Sequence, residues 1–197
     1  HAVLNPARNG TIVGSNAWQQ YMRLSIAQVL QAEAVALLPG WVNSRGALLE
    51  RRIATALDVL GISEDGRVAT FAWNSARHLE LYFAAPCSGR VCHTLNLRLF
   101  PEQLVYIVNH AEDEVIFVDN SLAKLMWPAL ETFSTVRHVV VMNDTGGDIP
   151  TDAPNGIQVH DYEELIAKSD PREFLIDDEN RAAAMMYTSG TTGNPTG

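Results

Sequence analysis

The residues best placed to do chemistry stand together between positions 188 and 197. Thr188, Ser189, Thr191, Thr192 and Thr196 supply hydroxyls, and Gly190, Gly193 and Gly197 supply backbone without side chains. They follow directly on the apolar run Ala182 to Tyr187. A strand that discharges into a glycine- and hydroxyl-rich loop presents backbone N–H groups to a phosphate. Gly190 and Gly193 permit positive φ and let the backbone approach a ligand closely. The hydroxyls can bond phosphate oxygens or a metal ion, and Pro195 would stiffen the exit. The loop fits neither G-x-x-x-x-G-K-[ST] nor G-x-G-x-x-G. By composition alone a flexible Ser/Thr/Gly turn remains open.

These residues need a scaffold, and the chain upstream alternates short apolar runs with helical segments. The strands are expected at Arg67–Ala72, Val91–Leu95, Val115–Val118, His138–Met142 and Ala182–Tyr187. Helices are expected over Tyr21–Leu38, between Gly46 and Gly61, from Asn74-Ser75 onward carrying Leu79, Tyr82 and Phe83, over Glu102–His110 behind Pro101, over Leu122–Phe133 with strain at Pro128, and over Tyr162–Ala167. Asp144–Gly156 reads as an exposed loop and Pro171–Asn180 as a charged connector. This alternation predicts an α/β fold, a parallel sheet covered by helices on both faces. Two parts are expected: residues 1–45, with little signal, and residues 46–197, the α/β unit that reaches the loop.

Composition excludes several classes of function. The 197 residues are 47% hydrophobic and 19% charged, as in ordinary globular chains. A net charge of −9 argues against nucleic acid or an anionic membrane as the partner. An acidic chain that binds an anion must rely on local dipoles and few cations. No run approaches the length of a membrane span and no secretory signal is visible, so a cytoplasmic setting is expected. The start at His1 and the stop inside the loop are those expected of part of a longer chain. Cys87 and Cys92 read as buried or half-buried thiols of a reducing compartment, not as a metal site with His93. His93 itself is expected to be a hydrogen-bonded structural residue. Asn74 or Ser75 is expected to cap a helix. Glu112-Asp113-Glu114 reads as a solvated turn, and Asp177-Asp178-Glu179 as a charged connector.

The loop's full spelling, Tyr187-Thr188-Ser189-Gly190-Thr191-Thr192-Gly193-Asn194-Pro195-Thr196-Gly197, resembles the signature Y-T-S-G-T-T-G-x-P-K-G of the adenylate-forming superfamily. That superfamily includes acyl-CoA synthetases, luciferases and peptide-synthetase adenylation domains. Upstream, Val68–Ser75, His78–Tyr82, His93–Asn96, Pro101–Leu104 and Asn109–Asp113 resemble the medium- and long-chain fatty acyl-CoA ligase branch. The resemblance covers roughly Gly46 to Gly197. It implies the N-terminal portion of an acyl-CoA synthetase-like large domain and a two-step reaction. A carboxylate attacks the α-phosphate of ATP, giving an acyl-adenylate and pyrophosphate, and the thiol of CoA then displaces AMP. It further implies ATP, Mg2+ and CoA as cofactor and co-substrates, with a fatty acid as the carboxylic acid. Thr188, Ser189, Gly190, Thr191, Thr192, Gly193 and Thr196 would form the nucleotide-binding segment, with one threonine aiding Mg2+.

The chain departs from this pattern where Thr196 replaces the signature's Lys, which removes one charge-assisted phosphate contact worth about 1.5–3 kcal/mol. Leu97 stands where fatty acyl-CoA ligases often carry Pro, a change of loop rigidity more than of chemistry. The family's adenine segment, its Mg2+-binding Glu, its ribose-binding Asp and its catalytic Lys all lie beyond Gly197, so the 197 residues alone are expected to be inactive. Two alternatives stay open: a truncated or degenerate non-catalytic product, and an adenylating ligase for another carboxylic acid, such as an aryl acid.

Overall fold

The computed structural model describes residues 44–174, 178 and 180–188. The expected helix Tyr21–Leu38, and every loop residue from Ser189 to Gly197, lie outside the described residues.

Helix α1 (Arg45–Val59) begins at Ser44, whose hydroxyl accepts the Ala47 N–H at 3.2 Å. It ends before Gly61, which takes φ +68°, a conformation that only glycine adopts without strain. Strand β1 (Arg67–Phe71) follows, then α2 (Ala76–Cys87), β2 (Val91–Thr94), α3 (Pro101–Ala111) and β3 (Asp113–Asp119). Two 3-10 turns (Asn120–Leu122 and Trp127–Thr132) flank the short α4 (Ala123–Met126). Next come β4 (His138–Met142), β5 (Gln158–Asp161), α5 (Tyr162–Ala167) and β6 (Ala184–Met185). The six strands lie in the order β5-β4-β3-β1-β2-β6, and every pair is parallel.

Parallel neighbours need crossover connections, which are right-handed. From β1 the chain steps to β2 on one side, then returns across β1 to β3 on the other. Right-handed crossovers taken in opposite directions place α2 and α3 on opposite faces. The two cores show this division. Ile53 and Leu57 of α1, Leu81, Ala84 and Ala85 of α2, and Tyr162 and Ile166 of α5 pack with Val68, Val115, Phe117, Val140 and Met142. Leu104, Ile107 and Val108 of α3, with Met126 and Leu130, pack against Ala69, Phe71, Ile116, Val118, Val139 and Val141. Strand residues thus alternate between two buried faces, as a doubly covered sheet requires.

Helix α2 turns inward His78, Leu81, Ala84 and Ala85, whereas Tyr82 and Phe83 stay 41% and 42% exposed. Small alanines let the helix sit close to the sheet. The expected helix 122–133 is broken, because Pro128 cannot donate to the helical ladder and starts the second 3-10 turn. Strand β5 was not expected from its polar sequence Gln158-Val159-His160-Asp161, and it forms the sheet's edge beside β4. Strand β6 keeps only Ala184 and Met185 of the expected run. The solvated turn at 112–114 is overturned: Asp113 is wholly buried and opens β3, and Glu112 adopts φ +56° at the end of α3. By contrast, the two thiols are free, Cys92 buried and Cys87 half-buried. Burial pushes the Cys92 thiol up to about 12, which makes it chemically inert.

The edge of the sheet carries two histidines in contact. His138 Nδ1 and His160 Nε2 are 3.1 Å apart, so one ring donates and the other accepts. Burial lowers the pKa of both from 6.5, and for His138 the neighbouring His160 and Arg137 lower it further. The unfolded chain therefore takes up protons first as pH falls. The stability held by the neutral pair is complete above 6.5 and is lost as pH drops towards the native values. In urea titrations between about pH 7.5 and 5.5, H160Q should lose stability with pH less steeply than the wild type. Identical slopes would show that the pair does not titrate in this way.

Candidate functional site

In open parallel sheets, ligands bind beyond the carboxyl ends of the strands. That edge here is built by the residues following β1, β2, β3 and β6. At the reversal of strand order, between β1 and β3, the Trp73 N–H donates to Asp119 Oδ2 at 2.7 Å. Asp119 is 1% exposed, and its Oδ1 has no hydrogen-bond partner among the described residues. Burial raises its pKa, the Trp73 N–H lowers it, and Asp144 raises it again. Around it the Trp73 indole donates to Ser121 Oγ (3.1 Å), and the Ser121 hydroxyl donates to Asp144 Oδ2 (2.6 Å). These bonds stitch the ends of β1, β3 and β4 together.

Ser75, not Asn74, caps α2, its hydroxyl accepting the His78 N–H at 3.2 Å. His78 is buried beneath this edge: Nδ1 donates to the Trp73 carbonyl (3.0 Å) and Nε2 accepts from the Thr70 hydroxyl (2.9 Å). Burial lowers its pKa, which keeps the ring neutral in that tautomer.

Thr188 is the member of the expected phosphate segment that falls among the described residues, and the structure places it at the same edge. Strand β6 pairs with β2 through Cys92 with Ala184 and His93 with Met185, and the chain then runs outward through Tyr187. A cavity of about 320 Å³ opens there, lined by Thr94, Leu95, Asn96, Leu99, Tyr187 and Thr188 among others. Asn96 shapes its rim, because its Oδ1 accepts the Arg98 N–H at 2.9 Å. This side-chain turn holds the segment with Leu97 in place of Pro. A wider depression of about 700 Å³, near Arg67, Val91 and Arg181, lies at the amino ends of β1 and β2, away from this edge. Among the described residues no group of three or more His, Cys, Asp or Glu is placed to hold a metal ion. Of Asp177-Asp178-Glu179, Asp177 and Glu179 lie outside the described residues, and Asp178 accepts from the Asn180 side chain at 2.8 Å.

Beneath the cavity lies a pair that sequence reasoning missed. His93 Nδ1 stands 2.8 and 2.9 Å from the two Asp113 oxygens, and both residues are wholly buried. His93 is hydrogen-bonded, as expected, and its partner is the Asp assigned to a turn. The Tyr187 ring lies 5.3 Å from the His93 ring, and its hydroxyl is 2.6 Å from His110 Nδ1.

The fold and this edge have counterparts among known proteins. The model of the AMP-binding enzyme family matches residues 48–197, and a second model, for a domain of unknown function, matches residues 1–61. The chain is 46% identical over 148 residues to a 3-methylmercaptopropionyl-CoA ligase of Ruegeria lacuscaerulensis, covering 75% of the chain and 27% of that protein. It is 41% identical over 191 residues to a medium-chain-fatty-acid–CoA ligase of Ectopseudomonas oleovorans, covering 96% of the chain and 34% of that protein. An anthranilate CoA ligase solved with anthranoyl-AMP superposes with a TM-score of 0.65 at 22% identity, over 75% of the chain and 27% of its own. The chain belongs to the AMP-binding enzyme family, and its parallel sheet flanked by helices is the fold of acyl-CoA ligases. It spans about a quarter to a third of the length of the curated relatives it matches.

Asp119→Ala would leave the Trp73 N–H without its acceptor and open the bonds joining β1 to β3. It should cost about 1–3 kcal/mol in urea unfolding, against less than about 1 kcal/mol for Ser121→Ala at the surface. Equal costs for the two variants would deny the buried carboxylate this role.

Proposed function

We propose that the chain forms part of the nucleotide site of an ATP-dependent acid–CoA ligase, and that its acid is a fatty acid. Membership of the AMP-binding family carries this reading, together with the placement of Thr188 at the carboxyl edge of the sheet beside an open cavity. The segment Thr188–Gly193 would hold the β- and γ-phosphates of ATP, with a threonine hydroxyl on Mg2+. Backbone N–H groups would neutralise charge that an acidic surface otherwise repels. The carboxylate would then attack the α-phosphorus in line and expel pyrophosphate; CoA would take the acyl group from the adenylate. The reaction belongs to the whole protein, since positioning both substrates takes more than one wall of a site.

The fatty-acid assignment is supported by the medium-chain relative from Ectopseudomonas oleovorans and by a long-chain-fatty-acid–CoA ligase of Thermus thermophilus at 42% identity over 148 residues. The sulfur-containing acid of the Ruegeria relative favours a second reading, a short functionalised acid. We further propose a cytoplasmic setting and residues 1–45 as a separate segment preceding the α/β unit 46–197. No helix among the described residues is long and apolar enough to cross a membrane.

The test is ATP–pyrophosphate exchange by the full-length gene product over a panel of acids. Exchange driven by medium- or long-chain fatty acids supports the proposal, exchange driven only by short or aryl acids replaces the substrate, and a folded protein with none refutes the ligase reading. Restoring the ammonium with Thr196→Lys should lower the KM for ATP roughly 10- to 100-fold, the equivalent of the lost charged hydrogen bond. An unchanged KM would show that position 196 does not face the phosphates.

A further inference from the structure

The family signature starts at Tyr187, and nothing in it explains the buried His–Asp pair below. His93 and Asp113 are 0% exposed, inside a face otherwise filled by Ile116, Val118, Ile107 and Leu104. Removing two ionisable groups from water is costly, and apolar residues of the same size could fill the space. The pair joins strands that are not neighbours, since β1 lies between β2 and β3. It does so over β1, where Ala69 is in register with His93 and Arg67 with Asp113, and the small Ala69 side chain leaves room for the imidazole.

What the imidazole touches next is the loop's first residue. Its ring meets the Tyr187 ring at 5.3 Å with a 43° tilt, while His110 meets Tyr187 edge-on at 5.8 Å and is itself stacked on Tyr106 at 5.3 Å. The β2–β6 ladder ends at Met185, two residues before Tyr187. Thr188 is itself paired in a bridge, and between the ladder and that bridge the chain is held by how the Tyr187 side chain is seated. An imidazole alone could turn about its χ2 bond; one whose Nδ1 proton is shared by both Asp113 oxygens cannot.

We propose that His93 and Asp113 are a positioning pair for the phosphate loop: the carboxylate fixes the imidazole, and the imidazole seats Tyr187 so that Thr188 enters the loop from a defined place. This rests on the reading of Thr188–Gly193 as the phosphate-holding segment. Neither residue of the pair touches the nucleotide; each acts through Tyr187.

The test follows Tyr187 directly, in the full chain labelled with 3-fluorotyrosine. The resonance is assigned with Tyr187→Phe. In Asp113→Asn and in His93→Phe, which keeps a ring against Tyr187, the Tyr187 fluorine line should shift and broaden. Amide exchange at Tyr187 and Thr188 should accelerate roughly tenfold, while β1 and β4 change by less than about twofold. His110→Phe alters only the surface end of Tyr187, leaves the buried pair intact, and should give a smaller change of the same kind. In the full-length enzyme Asp113→Asn should raise the KM for ATP roughly tenfold with the KM for the acid little changed. A Tyr187 line and exchange rates unaltered in folded variants would overturn the proposal, as would exchange rising equally in every strand, the mark of a purely structural pair. The fluorine and exchange readouts need no nucleotide. A protein inactive in pyrophosphate exchange but showing the Tyr187 response would therefore refute the ligase reading and leave the positioning role standing.

Discussion

A parallel strand has no short way back to its neighbour, and that constraint orders this chain. Each return must cross a face of the sheet, on a helix for every step but β4 to β5, so both faces are covered and the inner strands are largely apolar on both sides. Reversal of the strand order at β1 then leaves the carboxyl ends of β1 and β3 without a helix between them. There the backbone is finished by side chains: Asp119 takes the Trp73 N–H and Ser121 bridges the indole to Asp144. The same edge receives β6, fastened to β2 at two ladder positions. Site and scaffold are therefore one object, because the residues that end strands are also those that line the carboxyl edge, where parallel sheets bind ligands.

Among the described residues the approach to β6 is fastened by charge. From α5 the connector passes α1, where Arg51 pairs with Glu173 (2.5 Å) and donates to the Arg172 carbonyl, and Arg172 pairs with Asp58 (2.6 Å). Further on, Arg181 pairs with Asp65 at 3.0 Å and donates to the Gly89 carbonyl. Exposed pairs of this kind contribute little singly. Several together nevertheless tie Arg172, Glu173 and Arg181 to the surface of the unit, and Ala184 lies alongside Cys92. A strand of two residues could not select its place by hydrogen bonds alone.

How much of this was legible in the sequence depended on whether the governing signal was local. Strand β4 reads directly from His138-Val139-Val140-Val141-Met142, and α1 from its spacing between Gly46 and Gly61, because burial on both faces and a glycine stop leave plain marks. Helix α2 was legible but its face was not: Tyr82 and Phe83 carry more apolar area than Ala84 and Ala85, yet close approach to the sheet selects the small residues. Strand β5 is polar because an edge strand beside β4 faces solvent, so its alternation is weak. Asp113 between Glu112 and Glu114 has the composition of a turn, and only the non-local partner His93, twenty residues away, makes its burial tolerable. The loop itself was legible by its spelling from Tyr187 to Gly197. Its support was not, since pairing across two strands leaves no spacing to read.

The central claim is that this sheet delivers Thr188 to its carboxyl edge so that the segment after it can grasp the phosphates of ATP. Hydrogen–deuterium exchange of the full-length protein with and without Mg2+ and ATP addresses it directly. The account predicts protection concentrated in the peptide that begins at Tyr187 and runs through Gly197, with lesser protection around Asn96. Protection absent from that peptide, or confined to the Trp73–Asp119 crevice, would contradict it.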